Sequence, residues 1–491
     1  MVRSKLALVL VVGTLLTAAV PGVAGTGAAA DAETAACAGT IRTQPGGVTV
    51  VSVQGMRFSE NESLQGKRPA RLVAFYPNGS IAWVHRSAEA FGVFWSYDVD
   101  PLPNGNLFVT AAPPGETLLY ELDPETGEAV WTETIDADDT HDADLLPNGN
   151  VVVANMRNYD AESDVNRDRV FVYNRTTDEV VWEWEFRRYF DRSGGGNYTE
   201  DWTHVNDVDV VGEDRLLLSP RNFDQVLLLN RTTGEVVWHL GEDDQYRTLK
   251  RQHNPDYLVS ESGRTTVLVA DSENNRIVEY ARDPDGGWTR TWRLGGDRGI
   301  LGGGASDLAW PRDADRLPNG NTLVSDSRNS RVFEVTPAGD VVWEVYAPWL
   351  VYDAARLPTG EHGGPTITDL NASGDVRLKN GDPPSADALE RCAEAIRTHE
   401  NRRWERAAAN DSATANPGAG QDATGGNGTA EDTATTGGET TSGTTTSEET
   451  TAGTATTDRP AGGENGTTVT PVGFTALAAG VALLVGWWRF G

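Results

Sequence analysis

The chain has 491 residues and a formal net charge of −31, because 72 Asp and Glu residues outnumber 41 Lys and Arg residues. Such a surface repels a phosphate backbone, so the composition excludes a DNA or RNA partner. Salt screens repulsion between like charges and carboxylates hold water, so the acidity is typical of a protein suited to high salt. The length permits one large repeat-built β domain, because such folds often exceed the usual domain size.

Both ends of the chain differ in composition from the middle. Residues 1–25 begin with Arg3 and Lys5 and continue as an apolar run, which predicts a secretory signal peptide or an uncleaved N-terminal anchor. Residues 471–488 are mostly apolar and precede Arg489, which predicts a C-terminal transmembrane helix. Residues 411–470 are rich in Thr, Gly and Glu and predict a disordered stalk. We therefore expect the folded body, 37–400, on the extracellular face of the cell membrane.

Two further features fit an extracellular body. The first is the set of Asn-x-Ser/Thr sequences, which are possible glycosylation sites. Their asparagines are Asn61, Asn78, Asn174, Asn197, Asn230, Asn371, Asn410, Asn427 and Asn465. The second is a pair of cysteines, Cys37 and Cys392, one at each end of the body. In an oxidising compartment the simplest interpretation is a single disulfide that closes the domain, since the wide spacing is not typical of a metal site.

A repeated unit occupies residues 48–360. It reads Asp-x-Asp-x-Leu-Pro-Asn-Gly-Asn, an apolar run, a loop, a second apolar run, a Thr-Gly-Glu type of turn, and Val-Val-Trp. Short β-rich runs between tight turns predict four antiparallel strands per unit. Residues 47–86 supply three strands without the opening strand, and residues 352–360 supply an opening strand alone. We therefore predict an all-β, six-bladed β-propeller whose last blade is closed by strands from both termini.

One aligned position of the repeat holds different, chemically active residues. It lies three residues before the second Asp of the Asp-x-Asp pair, at the start of the opening strand. The six residues at this position, called the axial ring below, are Tyr97, His141, Asn206, His253, Arg312 and Tyr352. Because the first strands of a propeller line its central channel, we expect these residues to converge at one axial mouth. His204 lies two residues before Asn206, and the period of a strand predicts the same face.

A cation interrupts the repeat near this position. Arg221 stands where the aligned blades have Ser327, Ser272 and Met156. The blade architecture does not require a cation there, and a guanidinium can bind two oxygens of an oxyanion at once.

Three histidines beside an arginine suggest two chemistries and one alternative without catalysis. The histidines could hold zinc, with Asp142 or Asp207 behind them. Against this, the Asp-x-Asp acids also occur in blades without histidine, and an arginine opposes a metal ion. An imidazole could instead transfer a sulfuryl or phosphoryl group while the other cations neutralise its charge. The residues could also form a binding pore. We predict no metal and no cofactor at this position.

The motifs HDADLLPNGN, DWTHVND, LLLSPRNFDQV, QHNPDYL and TTGEVVWHLG resemble those of arylsulfate sulfotransferases, over roughly residues 48–365. These are extracytoplasmic six-bladed propellers that move a sulfuryl group from one phenol to another. The acidity and the scarcity of lysine suggest a haloarchaeal-type member, and the predicted C-terminal transmembrane helix suggests a membrane-tethered one.

The resemblance implies a ping-pong reaction from an aryl sulfate to a phenol, without a nucleotide donor or a metal. It implies that His253 is transiently sulfated, that His141 and His204 are its partners and that Arg221 grips the sulfate, with Asn206 as a further contact. Arg312, Tyr97 and Tyr352 are the remaining candidates for substrate binding, with Trp310 near the mouth. The oligomeric state stays open.

Two other functions compete with sulfuryl transfer. One is a non-catalytic extracellular propeller that binds a glycan or a peptide at its axial mouth. The other is a metal-dependent hydrolase such as a propeller lactonase.

Overall fold

A computed structural model describes residues 35–58, 64–67, 69–296, 308–358, 363–381 and 383–405. All of them belong to the first of two compact units, Met1–Gly420; the second unit is Gln421–Gly491. The predicted N-terminal signal or anchor, the stalk and the C-terminal transmembrane helix lie outside the described residues. Within the described ranges, no helix has the length and apolar character needed to cross a membrane.

Six sheets of at least four strands form the predicted six-bladed propeller. The N-terminal strands are β1 (Ala38–Ile41), β2 (Thr49–Val53), β3 (Met56–Phe58), β4 (Leu64–Lys67), β5 (Arg71–Phe75) and β6 (Ile81–His85), and helix α1 (Ser87–Phe91) follows. The next sheet contains β7 (Trp95–Pro101), β8 (Leu107–Ala112), β9 (Thr117–Leu122) and β10 (Ala129–Ile135). The third contains β11 (Ala143–Leu145), β12 (Val151–Asn155), β15 (Arg169–Asn174) and β16 (Glu179–Glu185), with the small hairpin β13 (Tyr159–Asp160) and β14 (Val165–Asn166) inserted.

The remaining blades follow the same order. The fourth contains β17 (Val205–Val211), β18 (Arg215–Pro220), β19 (Gln225–Asn230) and β20 (Glu235–Gly241). The fifth contains β21 (His253–Val259), β22 (Thr265–Asp271), β23 (Arg276–Arg282) and β24 (Trp288–Gly295). The sixth contains β25 (Pro311–Arg316), β26 (Thr322–Asp326), β27 (Arg331–Val335) and β28 (Val341–Tyr346). The C-terminal elements are β29 (Val351–Arg356), β30 (Gly374–Val376) and α2 (Ala386–Thr398).

The ring closes by combining strands from both ends of the body, as the repeat predicts. Strand β29 is the inner strand of a sheet whose order is β29-β2-β5-β6. Its residue Ala355 lies opposite Val50 of β2, which is some 300 residues earlier in the chain. A sheet assembled in this way joins the two ends of the body within one blade by backbone hydrogen bonds.

A disulfide reinforces this closure. Cys37 and Cys392 are bonded, with their Cα atoms 4.6 Å apart, as the two-cysteine pattern suggests. Cys37 precedes β1, which pairs with β28 as a fifth strand of the sixth blade. Cys392 lies on α2, whose residue Ile396 is buried in the same hydrophobic cluster. The disulfide therefore ties both ends of the body to one blade.

Two of the recurrent tryptophans bond to the neighbouring blade. The indole Nε1 of Trp343 donates to the carbonyl oxygen of Pro77 in the first blade (3.0 Å), and Trp292 does the same to Pro337 in the next blade (3.0 Å). Both tryptophan side chains are fully buried. A buried indole normally needs such a partner for its N–H group.

The Asp-x-Asp acids connect the inner strands of neighbouring blades, which explains why most blades carry them. In each case a carboxylate oxygen accepts a backbone N–H of the next inner strand. The bonds are Asp142 to Val208 (2.5 Å), Asp144 to Val210 (2.8 Å), Asp353 to Val99 (3.0 Å) and Asp256 to Arg316 (3.1 Å). These acids therefore have the structural role that the sequence suggests.

Candidate active site

The axial ring converges on one side chain, Tyr352. This tyrosine is fully buried, and its ring centroid lies 5.1 Å from that of Tyr97, 5.6 Å from that of His141 and 6.0 Å from that of His253. The guanidinium carbon of Arg312 lies 4.5 Å from the same centroid. The Tyr352 hydroxyl donates to the backbone oxygen of Asn206 at 3.3 Å. The structure therefore brings all six residues of the axial ring together.

Beta-bulges aim this ring into the channel. Pairing between the first and second strands of several blades shifts register at the ring position. The shifts fall between Ser96 and Val99, between Val205 and Val208, and between His253 and Asp256. A bulge interrupts the alternation of a strand and can redirect side chains at a functional site. The regular period of two therefore does not describe the inner strands here.

His204 reaches the site from the irregular segment just before β17. It immediately precedes β17 and has a φ of +43°, so the prediction that strand periodicity positions it was wrong. Its ring centroid lies 4.9 Å from that of His141. Its Nδ1 hydrogen-bonds Asp201 Oδ1 at 2.6 Å, while its Nε2 is buried with no hydrogen-bond partner among the described residues. A neutral His204 that donates from Nδ1 keeps the lone pair of Nε2 available to the site.

A serine positions His253. The hydroxyl of Ser272 donates to the backbone oxygen of Ala270 at 3.2 Å and lies 2.8 Å from His253 Nδ1. With its hydrogen on the Ala270 oxygen, the serine can accept from Nδ1–H in the corresponding tautomer of His253. The lone pair then resides on Nε2, the nitrogen required for attack on an electrophile.

His141 lies against both tyrosines of the axial ring. Its Nδ1 is 3.3 Å from the Tyr352 hydroxyl, and its ring centroid is 4.0 Å from that of Tyr97. The Tyr97 hydroxyl donates to Asp139 Oδ1 at 2.6 Å, and Arg157 pairs with the other oxygen of Asp139 at 3.0 Å. His141 is therefore held by ring packing and by a phenolic hydroxyl.

Arg221 follows β18, in a short 3₁₀ helix, Arg221–Phe223. Its Nε and one terminal nitrogen donate to Asn222 Oδ1 at 3.2 and 3.1 Å, and the same terminal nitrogen is 3.9 Å from Asp201 Oδ2. The second terminal nitrogen, Nη1, is not used in these bonds. The guanidinium is thus oriented by its neighbours with donor capacity remaining for an anion.

Arg312 is fixed more completely than Arg221. Its Nε donates to Ser327 at 3.0 Å, and one terminal nitrogen donates to Gln54 Oε1 at 2.6 Å and to the Val351 oxygen at 2.9 Å. Its guanidinium carbon also lies 4.7 Å from the centroid of Trp310, which is partly exposed. Arg312 therefore contributes a buried positive charge beneath an accessible aromatic ring.

Burial and the arginines keep the three histidines neutral. Burial, the dominant cause, lowers the pKa of His253 and of His141 well below 6.5, with further lowering by Arg221. Burial and then Arg221 lower the pKa of His204 to about 4, against the opposing effect of Asp201. Burial lowers the pKa of Arg221 to about 10, so it stays cationic near neutral pH. The site thus combines neutral imidazoles with fixed positive charge.

Asp201, Ser272, Asp139 and Arg157 are parts of the site that the sequence did not single out for a role. Asp201 begins the DWTHVND motif, and its spacing of three from His204 was the available signal. Ser272 was noted only as the residue aligned with Arg221. Its contact with His253 and the contact of Ser327 with Arg312 show that this aligned position supports the ring residue of its own blade.

Three solved structures illustrate the range of similar folds. A protein of unknown function from Bacteroides caccae is 14% identical, with a TM-score of 0.42, and the match covers 63% of this chain and 98% of that chain. A periplasmic gluconolactonase from Pseudomonas aeruginosa is also 14% identical, with a TM-score of 0.37 and coverages of 62% and 88%. Virginiamycin B lyase from Staphylococcus aureus is 10% identical, with a TM-score of 0.32 and coverages of 52% and 70%. These likenesses carry no conclusion about function.

Comparison with protein families is more informative. No curated protein gives a significant match to the chain. Residues 49–266, however, match the family model described as Arylsulfotransferase (ASST). The matched segment contains His141, His204, Asn206, Arg221 and His253. This match supports the arylsulfotransferase family for the segment that carries the histidines and, in general terms, an aryl sulfotransferase activity.

Proposed function

We propose that the protein transfers a sulfuryl group from an aryl sulfate to a phenol through a sulfated intermediate at His253. The observation that carries the proposal is the convergence of three buried histidines beside Arg221 in the channel of an otherwise strongly acidic protein, where burial lowers the pKa of each histidine. Fixed cations within a negative surface favour a small anion over a cationic or neutral ligand. The family match over residues 49–266 supports the same chemistry.

In the first step, His253 Nε2 attacks the sulfur of the aryl sulfate. A nitrogen–sulfur bond forms, the bond from sulfur to the phenolic oxygen breaks, and phenolate leaves with the electron pair. The Nδ1–H of His253 stays on the ring and keeps its bond to Ser272. Arg221 offers donors to the sulfuryl oxygens, and Arg312 adds positive charge nearby. The anionic substrate offsets these positive charges, so a neighbouring imidazole binds a proton more readily and can pass it to the phenolate.

In the second step, an acceptor phenol attacks the sulfur of sulfated His253. The oxygen–sulfur bond forms, the nitrogen–sulfur bond breaks, and the phenolic proton must be removed. His204 is the proposed base, because Asp201 holds its Nδ1 and its Nε2 has no partner among the described residues. His141, beside Tyr352, is the second candidate for proton transfer. Asn206 is a further candidate for contact with the sulfuryl oxygens.

The site geometry favours group transfer over a zinc site. Three groups of side chains among the described residues have ligand atoms close enough to hold one ion, and all three consist of aspartates. The three histidines do not form such a group. A guanidinium beside the imidazoles would also oppose a metal cation.

We also propose an extracellular, membrane-tethered body. The signal-like and apolar segments at the two ends of the sequence support this location, and the Cys37–Cys392 disulfide suits an oxidising compartment.

A direct colorimetric assay tests the activity. The purified full chain is incubated with 4-nitrophenyl sulfate, with and without phenol. We expect release of nitrophenol that depends on the acceptor, with kcat/KM reduced by roughly 10³-fold or more in His253→Ala, since loss of a covalent nucleophile typically costs at least this much. His239→Ala is the matched control, because His239 is exposed on the outer strand β20 and should leave the rate unchanged.

Other outcomes would favour the competing functions. Absence of turnover over a range of aryl sulfates, with retained binding of a glycan or a peptide, would favour the non-catalytic propeller. Hydrolysis of a lactone that stops when a chelator removes the metal would favour the metal-dependent hydrolase. The assay temperature must lie well below the melting temperature, so that the loss does not reflect unfolding.

A further inference from the structure

Beyond the histidines, two layers of acidic side chains follow along the central channel. The residues one position after the axial ring are Asp98, Asp142, Asp207, Asn254, Asp313 and Asp353. The residues two positions further along are Asp100, Asp144, Asp209, Asp256, Asp315 and Ala355. The inner strands therefore place five aspartates at each of two successive levels.

A small cavity lies between these layers. Its volume is about 20 Å³, and nine of its ten lining residues belong to the two acidic layers. A cavity needs roughly 10–15 Å³ to accommodate one water-sized body. The space therefore has room for a small occupant with oxygen atoms around it.

Some carboxylate oxygens in the cavity wall take no part in the hydrogen bonds between blades. In the described part of the chain, Oδ2 of Asp207 and Oδ2 of Asp315 are buried with no hydrogen-bond partner. Both residues line the cavity, and they are only 4% and 6% exposed. Oδ1 of Asn254, also in the cavity wall, lacks a partner as well. A buried polar atom without a partner is costly, so these oxygens point to a missing ligand.

Two groups of these acids, neither of which contains Asp315, are also close. In the first group, one carboxylate oxygen from each residue lies within 4.8 Å of the others, and the residues are Asp142, Asp207 and Asp209. The same holds for Asp98, Asp100 and Asp142. Burial raises the pKa of Asp207 and of Asp315 well above the usual value, and the neighbouring acids add to the effect. Without a positive charge, such carboxylates repel one another or must take up protons.

We propose that the axial channel binds one Ca²⁺ ion between the two acidic layers, with Asp207 and Asp315 among its ligands. Oxygen-only donors select a hard cation. Ca²⁺ tolerates irregular sets of six to eight oxygens, which suits ligands that come from several blades. The ion links inner strands of different blades, so its role is structural and independent of sulfuryl transfer.

Metal content and thermal stability of the full chain test this proposal. The protein is purified with Ca²⁺ and Mg²⁺ present, dialysed in high-salt buffer without divalent ions, and assayed by elemental analysis. We expect the wild type to retain about one more equivalent of Ca²⁺ than the double variant Asp207→Asn, Asp315→Asn. A chelator should lower the melting temperature of the wild type by several degrees, and Ca²⁺ should restore it.

A second acidic group provides the matched control. Asp224, Asp243 and Asp244 also lie close enough to hold an ion, but Asp244 is exposed. Asp243→Asn should keep both the retained Ca²⁺ and the melting response. The wild-type measurements stand even if the double variant fails to fold. A wild type that retains no Ca²⁺ and whose melting temperature ignores the chelator would overturn the proposal, as would recovery with Mg²⁺ or Na⁺ equal to that with Ca²⁺.

Discussion

His204 and His253 each use Nδ1 in a hydrogen bond within the protein, and this leaves Nε2 for the substrate. The partners differ, since Asp201 is an anion and Ser272 is neutral. The anion raises the basicity of His204, whereas the serine only fixes the tautomer of His253. The contrast matches the proposed division of labour between a base and a nucleophile.

Asp201 is a positioning residue whose removal should alter the base. In Asp201→Asn, His204 loses its charged partner, so we expect kcat to fall roughly tenfold to a hundredfold, as for other carboxylates that orient a histidine. Because Asp201 raises the pKa of His204, the part of the pH profile that belongs to His204 should also move to lower pH. Steady-state kinetics over a pH range that extends from below 4 up to 8 measure both effects.

Asp191→Asn is the matched control, because Asp191 lies in the same connection between blades but is exposed. A drop in activity of Asp201→Asn without any change in the pH profile would indicate a purely structural role for Asp201.

The depressed histidine pKa values predict how the free enzyme responds to acid. A histidine with a lowered pKa stays neutral until the pH falls below that lowered value. We therefore expect kcat/KM to remain level through pH 6.5 and to fall only at lower pH. In Arg221→Gln, one cause of the lowering is gone, so the acid limb of the residual activity should move to higher pH. A wild-type midpoint at or above 6.5 would contradict this account of the site.

At the scale of elements, the blade pattern and the closing blade follow from the sequence, because the same strand and turn motifs recur in the same order in each blade. The contacts that individual side chains make do not follow from the sequence in this way. The bulge in β17 and the positive φ of His204 depart from a regular strand, and a period of two does not predict them. The central position of Tyr352 likewise depends on residues from all five other blades. Sequence alignment of blades therefore identified the axial ring but not its contacts.

The disulfide acts on the elements that close the ring. Cys37 and Cys392 are separated by 355 positions, so the bond restricts a very long loop of the unfolded chain. The double variant Cys37→Ser, Cys392→Ser should lose about 2–4 kcal/mol of unfolding free energy, the usual effect of a native disulfide. Denaturant unfolding measures the loss, and reduced wild type should behave like the variant. An unchanged unfolding midpoint would show that hydrogen bonding between β29 and β2 closes the ring without help.

At the scale of the whole molecule, one channel carries opposite charges at successive levels. Arg221 and Arg312 accompany the histidines, and ten aspartates follow along the inner strands. The same strands that join the blades thus place an anion-binding level beside an acidic one. This separation explains how a chain with a net charge of −31 can offer a site for a negatively charged substrate.

The most direct test of the central claim is mass spectrometry of the full chain quenched under alkaline, denaturing conditions after addition of 4-nitrophenyl sulfate without an acceptor. The account predicts a gain of one sulfuryl group on the peptide that contains His253, which is lost in acid, removed by added phenol and absent in His253→Ala. A catalytically active protein that shows no such adduct, or that carries it on another residue, would contradict the account.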